Sequence, residues 1–456
     1  MTSQRVAVVG GGVAGLSAAH FLEESPEFEV VLYEMQDRLG GNAFTTQVQA
    51  PNGKTYPVDP VVYLFIRPRY PYFTEWMKQL GVGTRYIPLE TYLWNGRDGR
   101  GTLISSNPRK ILRGGSLSPR YVRDLLMFRQ TMKTIARLDR EGRMDDRLKL
   151  RDFIKQVPGI DDHFINDVFY PWARFGFHCM IEEMPDKPCG ALMRMFASVL
   201  KDPDTCYVID GGVGTYVKTV REGLRSTEVR LGSAVVSVTT PATGASGWDI
   251  TTAAGHREHF DHVIMAALPH NAAEMLGTLA NDARSDLHET VEVLSRVEMG
   301  YTRPITHFDA GLMPHRRRSW TTYVYKYDPN MRNDMTTVWA ALADNVDIFV
   351  NLDTSPYPED LLEHRTNTRP RGTLLHNPVH ARPPPRDALY DARDHLTARQ
   401  GRDGLWFAGS YMRETGYQED GLHHSLDLVR SLVSDHTPLA RLRRLVERVP
   451  HPYGVR

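Results

Sequence analysis

The sequence predicts an α/β fold in which a discontinuous Rossmann-like domain is interleaved with a mixed α+β domain bearing a helical lid. Three observations predict it. An apolar run, Val6 to Val9, leads directly into Gly10-x-Gly12-x-x-Gly15, a helical pattern (Leu16, Ala18, Ala19, Phe21, Leu22), a second apolar run from Val30 to Tyr33, and an acid, Glu34. Strand, glycine turn and helix return near residue 210 and again near residue 404. The stretches between follow other periodicities, helical and aromatic from 119 to 200 and strand-like from 271 to 388.

Each glycine of the opening motif has a steric task. Gly10 permits the tight turn out of the strand. Gly12 has no side chain, so a pyrophosphate can approach the amides at the positive helix N-terminus, to which Val13 and Ala14 also belong. Gly15 lets the helix lie close on the sheet. Glu34, about twenty residues further on, is placed to accept hydrogen bonds from ribose hydroxyls. The order strand, turn, helix, strand, acid reads as a dinucleotide site rather than as a loop shaped by glycines alone.

Composition narrows the class. At 456 residues with a formal net charge of zero, the chain is long enough for two domains. It lacks the positive excess that a nucleic-acid binder uses for broad phosphate neutralisation. Cys179, Cys189 and Cys206 form no close metal-ligand pair and leave one over in any disulfide scheme, so reduced thiols and no metal are expected. The first strand starts close to Met1, and no apolar run approaches a membrane span. A cytoplasmic protein without signal peptide or transmembrane segment is the expectation.

Along the chain, Val48 to Val61 alternates around Pro51-Asn52-Gly53 and reads as a hairpin, with Asp59 closing its second strand. Tyr70, Tyr72, Phe73, Trp76, Met77 and Leu80 recur at helical spacing until Gly81 stops them. The most aromatic stretch runs from Phe169 to Phe177, where Pro171 is expected to kink or cap a helix. This block serves equally well as a lid over an apolar substrate or as a plain helical core. Trp172, Arg174 and Phe177 are its candidate pocket residues, on composition.

Tyr207 to Gly214 leads into a helix with Tyr216, Val217, Val220 and Leu224, followed by alternating valines from Val235 to Val238 and an apolar strand from Val263 to Ala267. Strands are expected around Tyr301 to Phe308, Ser319 to Tyr325 and Thr337 to Ala341. Pro383-Pro384-Pro385 reads as a linker or rigid connection. The last unit is Gly404 to Tyr411, then Gly416-Tyr417-Gln418-Glu419-Asp420-Gly421 and a helix to about Val433. Glu419 and Asp420 open that helix, as simple caps or at an N-terminus aimed at a cofactor. In the tail, Leu439, Leu442, Leu445 and Val446 stand among arginines. A docked C-terminal helix is expected, with peripheral contact to an anionic membrane as the alternative.

Arg38-Leu39-Gly40-Gly41-Asn42 follows Glu34 closely. With the opening motif, it resembles the extended fingerprint of FAD proteins in the amine oxidase and phytoene desaturase superfamily, where this loop runs beside the flavin and its phosphates. Asp210-Gly211-Gly212-Val213-Gly214 resembles that superfamily's internal glycine pair, which precedes the adenine-contacting strand. Trp406-Phe407-Ala408-Gly409 with Gly416 to Gly421 resembles the C-terminal block that flanks the isoalloxazine. A narrower likeness, carried by Phe260 to Ala266, Leu312-Met313-Pro314 and Tyr417 to Gly421, is to mostly bacterial flavoproteins that include polyunsaturated fatty acid double-bond isomerases. Asn42, Pro60-Val61, Tyr323-Val324-Tyr325 and Gln418 depart from that group's usual histidine, glycine, Trp-Asn-Tyr and histidine.

The resemblance implies non-covalently bound FAD. It implies an FAD-binding domain made of residues 1–75, 201–270 and 389–437, a substrate-binding domain made of 76–200 and 271–388, and a tail, 438–456. The cofactor residues it implies are Gly10, Gly12, Val13, Ala14, Gly15, Glu34, Arg38, Gly40, Gly41, Asn42, Val235, Val236, Gly409, Ser410, Glu419, Asp420 and Gly421. Tyr417 is expected at the flavin face, from the Gly-Tyr-x-Glu order, and Tyr323 beside the substrate. His423 and His424 point to different helix faces, so at most one faces a site.

Flavin chemistry asks the protein chiefly for placement, which is consistent with a sequence showing no triad or metal cluster. The expected function is hydride abstraction from a C–H of a hydrophobic, lipid-like or polyketide-like substrate to flavin N5, by an oxidase, desaturase or double-bond isomerase. A flavin amine oxidase producing hydrogen peroxide and a non-enzymatic lipid-binding escort protein of the same fold are the alternatives.

Overall fold

A computed structural model describes residues 3–95, 101–105, 107, 109–111, 118–179, 181–201, 206–277, 285–327, 335–355, 370–413, 417–433 and 440–449. The strand Gln4–Val9 lies at the centre of a five-stranded parallel sheet. Phe28–Tyr33 and then Glu228–Arg230 flank it on one side, and His262–Met265 and then Leu405–Phe407 on the other. Side chains alternate between two cores. Val6, Val8, Val30, Leu32 and Ile264 enter one, while Ala7, Val9, Val31, Tyr33, Val263 and Met265 enter the other. Both faces are buried, and for that reason these strands read as continuous apolar runs rather than as alternating ones.

The helices Val13–Leu22, Pro71–Gln79, Gly214–Gly223 and Gln418–Leu432 lie on the first face. Trp76, Phe73, Phe21 and Tyr216 are fully buried between them, each contributing roughly 1.5–3 kcal/mol by burial. The second face carries an antiparallel meander, Val235–Thr239, Trp248–Thr252 and Arg257–Phe260, together with the helices Pro269–Gly277, Ser285–Ser295 and Asp387–Arg399.

An eight-stranded sheet stands beside this unit. Its order is Leu375–His376, Gly300–His307, Phe349–Ser355, Met335–Trp339, Tyr323–Tyr327, Thr91–Asn95 and Gly101–Ile104, with His380–Arg382 also paired to Gly300–His307. Leu93, Ile104 and Tyr325 of this sheet pack into a core of their own with Pro119–Arg140, Tyr170–Phe177 and Gly190–Lys201.

The hairpin around Pro51-Asn52-Gly53 forms between Thr46–Gln49 and Thr55–Val58, with Val48 opposite Tyr56. Pro171 follows a π-helical turn, Ile165–Phe169, and stands in the first turn of the helix Tyr170–Phe177, where a missing amide is tolerated. The strand expected from Ser319 begins later, at Tyr323, because Arg317–Ser319 is a 3-10 turn. Pro383-Pro384-Pro385 is no loose linker: all three prolines are buried between His380–Arg382 and Asp387–Arg399.

The C-terminal helix Ala440–Arg448 docks on the first core through fully buried Leu445. Glu24 accepts the Arg441 amide at 2.8 Å, and Glu75 pairs with Arg448 at 3.3 Å. Gly416 and Leu439 lie outside the described residues. No described helix is long and apolar enough to cross a membrane.

Candidate active site

A cavity of about 640 Å³ opens at the carboxyl ends of the parallel strands. It is lined by Val9-Gly10, Tyr33-Glu34, Ala266-Ala267 and Gly409-Ser410, each at or just past a strand end. This is where open parallel sheets bind ligands, because the strand and helix ends leave polar backbone groups facing one crevice.

The glycines of the first turn do different things there. A Cβ on Gly15 would lie 1.9 Å from the Gly10 carbonyl oxygen, so only glycine lets the helix Val13–Leu22 sit this close. Gly10 has φ of +113° and would meet Ala266 backbone at 2.6 Å. Gly12 is the opposite case: a Cβ there meets nothing within 4 Å, because the space is cavity. Gly12, Val13 and Ala14 line the cavity at the helix N-terminus, where first-turn amides lack intrahelical acceptors. Gly40 and Gly41, with φ of +104° and +57°, fold the next loop back, and the Gly40 amide donates to the Gly11 carbonyl at 2.8 Å.

Glu34 is 6% exposed. Its carboxylate accepts the Gly11 amide at 2.7 Å and the Gln36 amide at 2.8 Å, which fixes it at the cavity wall. Ser233, Ala234, Val235 and Val236 close the same end, and Val236 stays 47% exposed. These residues make a glycine-walled cradle with an acid at one end, a steric and polar fit for a dinucleotide such as FAD.

The other end is apolar and aromatic. Leu64, Ile66, Leu89, Ile104, Phe128, Trp172, Met195 and Phe196 line it. Trp172 packs edge-on to Phe128 with ring centres 4.8 Å apart and lies 4.3 Å from Phe196. Where the two ends meet stand Tyr63, Tyr323, Tyr325 and Tyr417, with Tyr63 T-shaped on Tyr323 and Tyr323 stacked on Tyr325. Nearby are His178, His380 and Arg382. His178 adopts left-handed backbone, φ +47°, at the end of Tyr170–Phe177. Burial, reinforced by Arg382 and its other cationic neighbours, holds the His178 pKa well below the usual histidine value.

Of the residues expected at the site, Gly10, Gly12, Val13, Ala14, Glu34, Gly40, Gly41, Asn42, Val235, Val236, Gly409, Ser410, Trp172, Tyr323 and Tyr417 share this cavity. Others stand outside its lining. Glu419 turns into the N-terminus of Pro71–Gln79, where its carboxylate accepts the Tyr72 and Phe73 amides at 3.0 and 2.8 Å. Burial pushes its pKa up to about 8. Asp420 accepts the Tyr417 amide at 3.4 Å. Gly421 allows helix-to-helix approach, since a Cβ would lie 2.8 Å from Val13.

Arg38 donates to the Gly41 carbonyl at 2.9 Å and stands over Phe44, supporting the loop from behind. Gly15 lies beneath the turn. Arg174 donates to the Cys179 carbonyl at 3.0 Å, and Phe177 is fully buried in the helical core. His423 rests 4.3 Å from the Tyr72 ring and His424 is half-buried, and neither lines the cavity.

Sequence reasoning passed over Tyr63, His178, His380 and Arg382, which carry no motif. The one available signal was the i, i+2 spacing of His380 and Arg382 next to the prolines.

The family model described as "Flavin containing amine oxidoreductase" matches residues 13–427. No curated protein matches the chain significantly. Among solved structures, the CLA-producing fatty acid isomerase from P. acnes is similar at a TM-score of 0.64 and 14% identity, covering 94% of this chain and 99% of that one. Putrescine oxidase, bound to putrescine, is similar at 0.63 and 15%, with coverages of 94% and 99%. Reduced UDP-galactopyranose mutase is similar at 0.63 and 13%, with coverages of 97% and 99%. Likenesses at such identities speak for the fold.

Proposed function

The chain belongs to the family of flavin-containing amine oxidoreductases, and from that premise we propose that it abstracts hydride from a C–H bond of an apolar, lipid-like or polyketide-like molecule. It is a flavin-dependent enzyme, and FAD, when bound, supplies the hydride-accepting N5. The observation that carries the substrate class is the apolar end of the cavity, where Leu89, Ile104, Phe128, Trp172 and Phe196 exclude water and offer no acid to a cationic substrate.

In this reading the Gly12, Val13 and Ala14 amides hold the pyrophosphate, and Glu34 holds the ribose. Ser233 to Val236 hold the adenine. Gly41, Asn42, Gly409 and Ser410 seat the flavin. Tyr417 and Tyr323 orient the reacting carbon.

Anaerobic flavin reduction, followed at the visible flavin band against panels of fatty acids, polyenes and amines, tests the reading. Bleaching by a fatty acid or polyene is the expected result. The four tyrosines at the junction favour a second reading, amine oxidation within an aromatic cage. Bleaching by amines alone, with peroxide released in air, would put that reading first. A purified protein that takes up no FAD would instead fit a lipid-binding escort.

A further inference from the structure

Among the described residues, the guanidinium of Arg382 is buried beside the cavity without a counter-ion. His380 and Arg382 are two residues apart on one strand, so both side chains leave the same face, and both line the cavity. Arg382 is 6% exposed and His380 7%. Arg382 Nη2 donates to the Gly176 carbonyl at 3.0 Å, and the guanidinium sits 5.3 Å from the Tyr417 ring centre. Among the described residues its Nη1 has no hydrogen-bond partner, nor has His380 Nδ1.

Among the described residues no carboxylate pairs with Arg382. Burial, then Arg382 itself, holds the His380 pKa down to about 3, so the imidazole stays neutral and can donate without adding charge. The cavity's own acids are placed elsewhere. Glu34 holds the Gly11 and Gln36 amides, and Glu274 is exposed on the helix Pro269–Gly277. The ring of Tyr417 offsets only part of the charge. A buried guanidinium without counter-charge is costly, and an anion entering the cavity would relieve that cost.

Resting on the reading of this cavity as the substrate site of a flavin enzyme, we infer that Arg382, assisted by His380, docks an anionic oxygen group, a carboxylate or enolate, on the apolar substrate. The substrate then has an apolar body along Phe128 and Trp172 and an oxygen-bearing head at the tyrosine junction. An ammonium head would meet Arg382 with like charge. The flavin's pyrimidine oxygens are the other source of the same chemistry, and the test separates the two.

The FAD-loaded protein is titrated calorimetrically with decanoate, decanol and decylamine. Decanoate is expected to bind about 30-fold more tightly than decanol, the scale of a charge-assisted hydrogen bond, and decylamine the most weakly. Arg382→Met is expected to erase the preference for decanoate while keeping decanol affinity, FAD stoichiometry and melting temperature. Arg382→Gln, which keeps a donor for the Gly176 carbonyl, carries the same expectation should the methionine variant not fold. His380→Gln should weaken decanoate about threefold.

The inference is overturned if wild type shows no carboxylate preference or if the uncharged variants retain it. It is equally overturned if Arg382→Met moves the flavin midpoint potential while the preference stands, which would assign the charge to the flavin. Absence of FAD uptake would instead count against the flavin reading. The heat of decanoate binding still reports on Arg382 in that case, since it needs no flavin signal.

Discussion

The two ends of the cavity are built in different ways. At the dinucleotide end, backbone forms the wall: the helix N-terminus from Gly12 to Ala14 and turns at Gly10, Gly40 and Gly41, all within the first 42 residues. At the aromatic end, side chains do it, and they come from far apart in the chain, from Tyr63, Phe128, Trp172, Tyr323, Arg382 and Tyr417. A backbone cradle tolerates little substitution because its shape is the turn itself. A side-chain wall can be rebuilt residue by residue without losing the fold.

The largest expected effect breaks the cradle from beneath. Gly15→Val forces a side chain into the Gly10 carbonyl and should cost about 3 kcal/mol or more. It would be seen as a large fall in the thermal midpoint of the FAD-free protein. Gly12→Val, three residues earlier, meets open space, so the FAD-free midpoint should hold while FAD affinity drops on the order of 100-fold. Equal losses of stability in both variants would erase the proposed difference between them.

The next effect is on pH. Burial raises the Asp59 pKa to about 7 and that of Glu419 to about 8. Both therefore bind their proton more tightly folded than unfolded. Their stabilising contribution is complete below about pH 4 and is lost as pH rises through 7 and 8, at roughly 1.4 kcal/mol per pH unit per proton. Denaturant midpoints should fall from pH 5 to pH 8, and Glu419→Gln should flatten the upper part of that fall. An unchanged slope in the variant would assign the pH dependence to other groups.

At the aromatic end the effects are smaller and confined to ligands. Trp172→Ala removes the ring packed on Phe128 and Phe196 and should weaken an apolar ligand about tenfold, leaving FAD affinity unchanged in the same titration. Smallest of all is Tyr417→Phe. The ring against Arg382 stays, so turnover should change by less than about threefold, whereas Tyr417→Ala should lower it about tenfold.

Much of the dinucleotide end was legible in the sequence because each of its parts is local. Gly10, Gly12 and Gly15 reveal themselves through spacing, and Glu34 through its distance from them. Alternate burial of Val6 to Val9 on two cores explains why the run is unbroken. Local signals also carried the hairpin at Pro51-Asn52-Gly53 and the docked tail helix.

Other features were decided only by tertiary structure. Glu419 heads its own helix in sequence, yet its carboxylate serves the N-terminus of another helix, 346 residues away in the chain. Phe177 and Trp172 are alike in composition, but helix rotation sends one into the core and the other to the cavity. His178, His380 and Arg382 become one group only because a strand of the second sheet is laid against a helix end. A short motif specifies a backbone turn by itself, since φ, ψ and steric room are properties of neighbouring residues. The charge and shape of a pocket arise from side chains that meet only once the chain has folded, and no spacing along the sequence encodes that meeting.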